Sequence, residues 1–465
     1  MRVSIAMTTL SIAGTILAGC AKNPAEGLAY SGETTAQNVR LLVDETWVDA
    51  DGRRHVEQEI FDSVFDIIDD AEEFILLDFF LVNDFLYEPG PGMRPLSQEL
   101  ADKLVAKRRA APEVEIVFIS DPINTVYGSI ESPQFKAMAE AGVTVVWTDL
   151  DRLRDSNPIY SKPWRLLVKP LGIEPGDTLS NPIGEGRISL RSMLKLLNFK
   201  ANHRKVVATE KSLLVTSANP HSASSAHWNT ALRVDGAGMD LARAAESAIL
   251  RMSGAPALPP LEPAPAVAES GNRLELLTEG KIKARVLELL DEAKPAARID
   301  LAMFYLSDRK VVSALVNARK RGCEVRVILD PNKDAFGRIK NGIPNRQTAA
   351  KLVKAGIPVR WTETHGEQFH AKMLHVGHPD ETATLLLGSC NFTRRNMDNF
   401  NAECSLALTA PRADESLARA RETFDRWFSN PDGRTYTVDY STYEDRSLRR
   451  KIRAWLMEKT GLSSF

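Results

Sequence analysis

The sequence is poor in the residues from which metal and nucleotide sites are usually built. It has 4 cysteines and 8 histidines in 465 residues. These residues form no cluster with zinc-binding spacing and no His-Glu-x-x-His motif, and the chain has no glycine-rich phosphate-binding loop. These absences argue against a zinc hydrolase and a P-loop enzyme. We therefore expect neither a metal nor a cofactor.

An excess of charge of one sign is also absent. The chain carries 59 basic and 61 acidic side chains, which give a net charge of −2. It therefore lacks the broad basic surface that is typical of nucleic-acid binders. No apolar run of membrane length follows the first 19 residues. The length and a hydrophobic content of 43% predict a globular protein with two core-forming domains.

The first 19 residues have the pattern of a secretory signal. Arg2 supplies a positive charge, and the apolar stretch that follows through Leu17 is too short for a transmembrane helix. The sequence Leu17-Ala18-Gly19-Cys20 resembles a bacterial lipobox, which implies cleavage before Cys20 and lipid attachment to its sulfur. Ala21 in the next position favours the outer membrane. We predict a lipid-anchored, periplasm-facing lipoprotein of the bacterial cell envelope; a plain export signal is the alternative.

Three cysteines remain after such cleavage: Cys323, Cys390 and Cys404. An odd number leaves at least one free thiol or an intermolecular bond. Cys390 and Cys404 lie on adjoining predicted strands, so a disulfide between them and burial as small apolar side chains are both open.

The chain contains an internal duplication. Residues 115–122 match residues 325–331, and each segment is a buried-strand pattern that ends in Asp-Pro, where proline stops the strand. Residues 141–148 match 355–362, with a glycine at the expected end of a helix in both. Residues 74–84 resemble 298–308. A repeat unit of this length predicts two similar halves.

Each half carries one copy of a His-x-Lys signature followed by a Ser-x-Asn triplet. Side chains alternate along a strand, so histidine and lysine in this spacing point to the same face. The imidazole can attack or carry a proton, and the ammonium can hold a phosphate oxygen. The two sets are His203, Lys205, Ser217 and Asn219 in the first half, and His370, Lys372, Ser389 and Asn391 in the second.

These motifs resemble those of the phospholipase D superfamily, whose members carry two HxKx4D motifs with downstream Ser-x-Asn triplets. The resemblance extends from about residue 58 to about residue 430. It implies an α/β fold of two similar halves, each a mixed β-sheet flanked by helices, packed around a pseudo-twofold axis with both histidines at one site. His203 and His370 are then nucleophile and general acid/base. The two lysines and asparagines hold the phosphate oxygens, and Ser217 and Ser389 support that cradle.

The chain departs from the family pattern at the acids. Glu210 ends the first motif in place of aspartate, and Gly377 occupies the corresponding place in the second, with Asp380 shortly after it. Glu403 matches the acid that often steadies a histidine in the family, and Asn229 is its counterpart in the first half. A carboxylate stabilises an imidazolium better than an amide does. We therefore expect His370 to be the better-supported cation and the acid, with His203 as the nucleophile.

This arrangement suits phosphodiester chemistry without a metal. A neutral imidazole attacks phosphorus and forms a phosphohistidine, which splits one displacement into two easier ones. The second histidine protonates the leaving oxygen and then deprotonates the incoming water or alcohol. Cations and amides that are already in place stabilise the charge on the equatorial oxygens.

The predicted organisation has six parts. A signal (1–19) and a polar tether (20–37) precede the first half. The boundaries of the remaining parts are 38–253 for the first half with an insertion at 149–202, 254–271 for a Pro/Ala-rich linker, 272–430 for the second half, and 431–465 for an extension with a basic helix near 448–459.

The insertion is basic beside the presumed phosphate site. Residues 160–205 hold nine basic and three acidic side chains, a net charge of +6. Residues 162–169 mix an aromatic, aliphatics and cations as interfacial anchors do, and residues 187–200 fit a basic amphipathic helix. The apolar residues either contact lipid or pack on the domain.

Three functions are compatible with these patterns. The first is a phospholipid phosphodiesterase or phosphatidyltransferase, similar to bacterial phospholipases D and cardiolipin synthases. The second is an endonuclease of the same family, which the acidic net charge disfavours. The third is a degenerate lipid-binding lipoprotein, suggested by the missing second aspartate. We favour the first, with phospholipid as substrate and the membrane reached by a lipid anchor. The oligomeric state is left open.

Overall fold

The computed structural model describes residues 27–85, 93–184, 186–259, 272–335 and 338–460. The predicted signal, Cys20 and most of the predicted linker lie outside these residues. In the described ranges, no helix has both the length and the apolar character needed to cross a membrane.

The strands occur in two similar series along the chain. The first comprises β1 Ser31–Thr35, β2 Asn38–Val48, β3 Arg54–Glu57, β4 Phe74–Phe79, β5 Glu115–Ser120, β6 Thr144–Trp147, β7 Leu179–Ser180, β8 Arg187–Ile188, β9 Lys205–Thr209, β10 Ser212–Thr216 and β11 Asn229–Asp235. The second comprises β12 Arg273–Thr278, β13 Arg298–Met303, β14 Glu324–Leu329, β15 Asp334–Ala335, β16 Arg338–Ile339, β17 Val359–Thr362, β18 Lys372–Gly377, β19 Thr382–Gly388, β20 Cys404–Pro411 and β21 Thr437–Asp439.

These strands form two large mixed sheets. Among the described residues, one sheet has the order β3-β2-β11-β10-β9-β4-β5-β6 and the other β1-β12-β20-β19-β18-β13-β14-β17-β21. In each, a central strand (β4 or β13) is parallel to one neighbour (β5 or β14) and antiparallel to the other (β9 or β18). The order β2-β11-β10-β9-β4-β5-β6 thus repeats as β12-β20-β19-β18-β13-β14-β17. The predicted α/β class with two similar halves is confirmed.

Helices join and cover the strands. Their bounds are α1 Ile60–Asp70, α2 Leu96–Ala110, α3 Pro133–Glu140, α4 Pro158–Leu167, α5 Leu190–Leu196, α6 Met239–Met252, α7 Gly280–Glu292, α8 Arg309–Lys320, α9 Asn345–Lys354, α10 Arg394–Met397, α11 Glu415–Ser429 and α12 Leu448–Thr460. Parallel pairs need a crossover, which α2 supplies between β4 and β5 and α8 between β13 and β14. α8 begins where the Asp308 carboxylate accepts the backbone N–H groups of Lys310 and Val311.

The largest apolar cluster lies between the two sheets and draws on both. It includes Val215 and Leu232 from the first sheet and Leu387 and Leu406 from the second. Two further clusters pack each sheet against its own helices, α1 and α2 in one case and α7 and α8 in the other. Sheets packed in this way bring the corresponding ends of β9 and β18 into one region.

Two predicted boundaries are wrong in part. Residues 31–35 of the predicted tether form β1, which pairs with β12 at the edge of the second sheet. An edge strand is held by backbone hydrogen bonds, so its polar sequence gave no strand pattern. Likewise, Thr437–Asp439 of the predicted extension forms β21 and pairs with β17.

The insertion consists of α4, α5 and the short β7–β8 hairpin. The helix predicted over 187–200 is shorter and corresponds to α5. Its start is fixed by Ser189, whose side chain accepts the backbone N–H of Ser192. The predicted basic helix of the extension corresponds to α12.

Candidate active site

The two His-x-Lys motifs lie where β9 and β18 begin, and matching contacts hold the residue before each histidine. The Asp121 carboxylate accepts the N–H of Asn202 at 2.8 Å, and the Asp330 carboxylate accepts the N–H of Phe369 at 2.8 Å. Burial raises the pKa of Asp121 to about 7 and that of Asp330 to about 6. The repeated Asp-Pro therefore does more than end a strand: it anchors the approach to each histidine.

Each histidine is oriented by a residue of the other half. His203 Nδ1 lies 3.0 Å from Glu403 Oε2, and His370 Nδ1 lies 3.1 Å from Asn229 Oδ1. Our expectation that Glu403 supports His370 is therefore wrong. The two halves contact each other where the motifs begin. There the backbone N–H of His203 donates to the carbonyl of Ala402, a residue of the second half, at 2.8 Å. His203, and not His370, has the carboxylate partner.

The serines of the Ser-x-Asn triplets hold these partners in place. Ser217 Oγ donates to Asn229 Oδ1 at 2.9 Å, while Ser389 Oγ donates to Glu403 Oε2. Each hydroxyl in turn accepts one backbone N–H, from Thr230 and Cys404 respectively. Both serines therefore act through the partner of a histidine, whereas the sequence had suggested support of the phosphate cradle.

Both lysines are buried beside their histidines. Lys205 Nζ donates to the carbonyl of His203 at 2.7 Å, and Lys372 Nζ donates to that of His370 at 2.6 Å. Burial lowers the pKa of Lys205 to about 7. Burial, followed by the charge of Lys205, lowers the pKa of Lys372 well below its usual range. Such groups gain their protons readily when an anion approaches.

The asparagines of the two Ser-x-Asn triplets are buried as well. Asn219 Oδ1 accepts the backbone N–H of Leu81 at 3.2 Å, which leaves its amide nitrogen as a donor. Asn391 is also buried, and its Oδ1 has no hydrogen-bond partner among the described residues.

The charges of the two halves act on one another. Burial lowers the pKa of His203 to about 4, and the charge of Lys372 contributes to this shift. The pKa of His370 is lowered well below its usual range by burial, by Lys372 and by Lys205. Burial opposes ionisation of Glu403, yet His203 and Lys205 hold the pKa of this carboxyl below its ordinary value. With the contacts of His203 to Glu403 and of His370 to Asn229, these shifts are those of a single site shared by the two halves.

His227 belongs to this site but was not predicted. Its Nδ1 accepts the backbone N–H of Gln368 at 3.1 Å, so the ring hydrogen is on Nε2. Burial lowers the pKa of His227 to about 3, and its ring centroid lies 6.2 Å from that of His370. It is a neutral donor beside the second half-site. The sequence signal that could have pointed to His227 is its position two residues before Asn229.

Aromatic rings and a buried ion pair complete the surroundings. Phe80 lies 5.0 Å from the ring of His203, and Phe304 lies 5.0 Å from that of His370. Arg204, the middle residue of the first motif, is fully buried and bonds Glu279 at 2.7 Å. Glu279 also accepts the N–H of Glu403 at 3.0 Å, so Arg204 supports the acid that orients His203.

The acids that end the motifs lie away from the site. Five residues of extended strand, about 16 Å, separate Lys205 from Glu210. Glu210 accepts the backbone N–H groups of Glu72, Glu73 and Phe74 and so fixes the start of β4. Gly377 is the last residue of β18, and Asp380 accepts hydrogen bonds from Thr382 in an exposed turn. Replacement of the second aspartate by glycine therefore leaves the site intact.

The cysteines take no part in this arrangement. Cys323, Cys390 and Cys404 are all buried with free thiols. The alternative of small buried side chains therefore holds for the pair Cys390 and Cys404.

Two His-Lys-Asn sets from the duplicated halves, each histidine paired with a residue of the other half, make up the candidate site. A protein-family model described as "Cardiolipin synthase, PLD-like domain" matches residues 286–428. No curated protein matches the chain. The sequence match in the second half, together with the fold, confirms the predicted resemblance to the phospholipase D superfamily.

Three solved structures are similar to this chain at low sequence identity, and the first of them shares its fold. The phosphatidylserine synthase of Haemophilus influenzae Rd KW20 superposes with a TM-score of 0.52 and 11% identity, over 94% of this chain and 97% of the other. A polyphosphate kinase from Porphyromonas gingivalis reaches a TM-score of 0.47 at 13% identity, over 92% of this chain and 54% of the other. Nuc of Salmonella typhimurium, a phospholipase D family member, reaches 0.26 at 22% identity, over 36% and 98%.

Proposed function

We propose that the protein is a metal-independent phosphodiesterase or phosphatidyltransferase that acts on phospholipids through a phosphohistidine. The observation that carries this proposal is the crossed pair of histidines, His203 on Glu403 and His370 on Asn229, within a single buried site. Each Nδ1 donates to its partner, so each Nε2 presents a lone pair.

His203 is the nucleophile in this proposal. A phosphorylated imidazole keeps a positive charge for as long as the phosphoryl group is attached, and Glu403 is the buried carboxylate that offsets this charge at 3.0 Å. The assignment thus agrees with the sequence-based one but has a different reason. A phosphohistidine trapped on His370 would overturn it.

His370 is the proton carrier. Its ring carries a proton only transiently, and the neutral Asn229 orients it without fixing a charge on it. The negative phosphodiester raises the pKa of this imidazole, which is otherwise lowered by burial and by two lysines. The protonated ring then donates to the leaving oxygen and later accepts a proton from water or an alcohol.

The lysines and asparagines bind the non-bridging oxygens. Lys205 and Lys372 are fixed by the main-chain carbonyls of their own histidines, so their ammonium groups need no reorganisation during the reaction. The amide nitrogens of Asn219 and Asn391 add neutral donors.

A phospholipid is the substrate supported best. The family model that matches residues 286–428 is described as "Cardiolipin synthase, PLD-like domain", and one solved structure with a similar fold is a phosphatidylserine synthase. The lipobox-like ending at Cys20 supports a lipid-anchored location in the cell envelope, which we propose with it. The choice between water and an alcohol as acceptor separates hydrolysis from transfer.

An assay with two substrates tests this function. The protein is incubated without added metal with phosphatidylglycerol vesicles and, separately, with a short DNA duplex. We expect phosphatidic acid or a diphosphatidyl lipid, and no DNA cleavage. His203→Ala and His370→Ala should each lower the rate at least about 1,000-fold. His378→Ala, at the far end of β18, is the matched control and should keep it. DNA cleavage indicates the nuclease, and no turnover of either indicates a degenerate protein.

A further inference from the structure

Helix α12 exposes an apolar face to solvent. Leu448, Ile452, Trp455 and Leu456 are 70%, 52%, 46% and 47% exposed. At 100° per residue they occupy one arc about 100° wide, which is as broad as the apolar stripe that normally faces a protein core. Here the stripe faces away from the core.

Cations flank this apolar face on both sides. On the helical projection, Arg449 and Arg453 follow one edge of the arc and Lys451 precedes the other, and all three are exposed. Residues 448–460 hold five basic side chains and one acidic side chain, Glu458. An apolar stripe bordered by cations is the pattern of helices that lie in the interface of a membrane.

The opposite side of α12 attaches the helix to the active site. Ala454 packs with Phe304 and Tyr305, and the ring of Phe304 contacts both His370 and Lys372. Glu458 accepts a hydrogen bond from Ser307 Oγ at 2.9 Å. The exposed face of α12 therefore lies one helix diameter from residues that line the site.

The insertion exposes a second apolar group. Its members are Ile159, Leu166, Leu167, Leu171 and Leu190, each at least half exposed. The segments that carry them are joined, since Tyr160 donates to the carbonyl of Leu194 and Arg191 to that of Leu171. The alternative that these side chains pack on the domain is therefore wrong for this group.

Helix α10 connects the two apolar groups. Arg394 N–H donates to Glu458 of α12 at 3.2 Å, while the guanidinium of Arg395 lies 5.1 Å from the ring of Phe199, just after α5. α10 begins three residues after Asn391 of the site. α10 thus contacts both α12 and the end of the insertion, the two segments that carry the apolar groups.

We propose that the exposed face of α12 docks on the surface of an anionic lipid bilayer, with the leucines of the insertion as a second contact. The bordering cations match anionic headgroups, and the apolar side chains enter the headgroup boundary. This surface brings the site to the membrane independently of any anchor at Cys20. It goes beyond the proposed function, because docking requires no turnover.

Vesicle sedimentation tests the docking surface. The full chain carries Cys20→Ser so that no acyl chain can be attached, and His203→Ala so that lipid is not consumed. It is mixed with vesicles of 30% phosphatidylglycerol in phosphatidylcholine, or of phosphatidylcholine alone. We expect binding to the anionic vesicles that weakens at least about tenfold in Trp455→Ala/Leu456→Ala. Arg449→Ala/Arg453→Ala should weaken it several-fold, and the matched exposed change Arg53→Ala should leave it unchanged.

Two controls keep the outcome decisive. The single variant Trp455→Phe, which keeps an aromatic ring at this position, should retain most of the vesicle binding. Far-ultraviolet circular dichroism should show that each variant is folded. Equal binding by Trp455→Ala/Leu456→Ala and its parent overturns the proposal. So does a concentration-dependent dimer of the parent that this double variant abolishes, since a second copy then covers the face. Absence of lipid turnover by the chain with His203 intact, together with vesicle binding by the parent of this test, would instead contradict the proposed function alone.

Discussion

At the scale of single residues, the two histidines are distinguished by what their Nδ1 atoms contact. Nδ1 of His203 is hydrogen-bonded to the buried carboxylate of Glu403, and Nδ1 of His370 is hydrogen-bonded to the buried amide of Asn229. Serine hydroxyls at equivalent positions fix both partners. Two otherwise similar half-sites therefore differ, and in the proposed mechanism the lasting positive charge is on His203 and the transferred proton is on His370.

This asymmetry predicts the effect of Glu403→Gln. The amide keeps the shape of the side chain and a hydrogen-bond acceptor, but it removes the charge that offsets phosphorylated His203. We expect kcat for phosphatidylglycerol to fall about 100-fold or more. Steady-state kinetics check this, with Asn229→Asp as the reciprocal variant. An unchanged kcat in Glu403→Gln would contradict the role given to the carboxylate.

The lowered pKa values predict that anion binding takes up protons. Burial lowers the pKa of Lys205 to about 7 and that of Lys372 well below its usual range, so the free protein at pH 8 holds Lys205 largely neutral. A bound phosphonate raises both values. Calorimetry with a non-hydrolysable phosphonate lipid analogue at pH 8 should give heats that depend on the buffer and indicate uptake of about one proton. Lys205→Met should reduce this uptake; buffer-independent heats would contradict it.

At the scale of elements, the strands that carry the motifs divide into an active end and a structural end. The histidine and lysine stand at the start of β9 and β18. Glu210 and Gly377 lie about 16 Å further along, at the opposite end of these strands. Glu210 there fixes the start of β4 through three backbone N–H groups.

Variants at the structural end should change stability and leave activity alone. Glu210→Ala removes the acceptor of those N–H groups, and we expect a loss of about 1 kcal/mol in the free energy of unfolding. Gly377→Asp should change kcat less than about twofold, because the nearest atom to a Cβ at this position lies 3.9 Å away. Urea unfolding and steady-state kinetics measure the two effects. A large gain of activity in Gly377→Asp would show that the departure from the family motif matters after all.

The elements also show which features the sequence could reveal. The repeated strand patterns at 115–122 and 325–331 sufficed for two similar sheets, because buried parallel strands leave continuous apolar runs. The pairing of Glu403 with His203 could not be predicted from the sequence, because it depends on how the two halves pack against each other. Strand β1 was not predicted because an edge strand is held by backbone hydrogen bonds and needs no apolar sequence pattern. His227 escaped because the N–H that fixes its tautomer comes from Gln368, 141 residues away.

At the scale of the whole molecule, the candidate site is complete only while the two halves are joined, because each half supplies the partner of the other half's histidine. The backbone N–H of Trp228 donates to the carbonyl of Gln368 at 3.0 Å, close in sequence to Asn229 and His370. The ring of Trp228 is fully buried, with the rings of Phe369 and Trp427 both 5.4 Å away. The apolar core between the sheets and the catalytic contacts are therefore parts of one interface.

This arrangement predicts that Trp228→Ala weakens both halves together. Removal of a fully buried indole should cost about 3–5 kcal/mol in the free energy of unfolding. Since Glu403 and Asn229 reach across the interface, activity should disappear at the same denaturant concentration as the far-ultraviolet circular dichroism signal, in the parent and in the variant. Trp455→Ala, at a 46% exposed position, is the matched control and should shift stability by no more than about 0.5 kcal/mol. Separate transitions for activity and circular dichroism would instead mean that the halves are independent units.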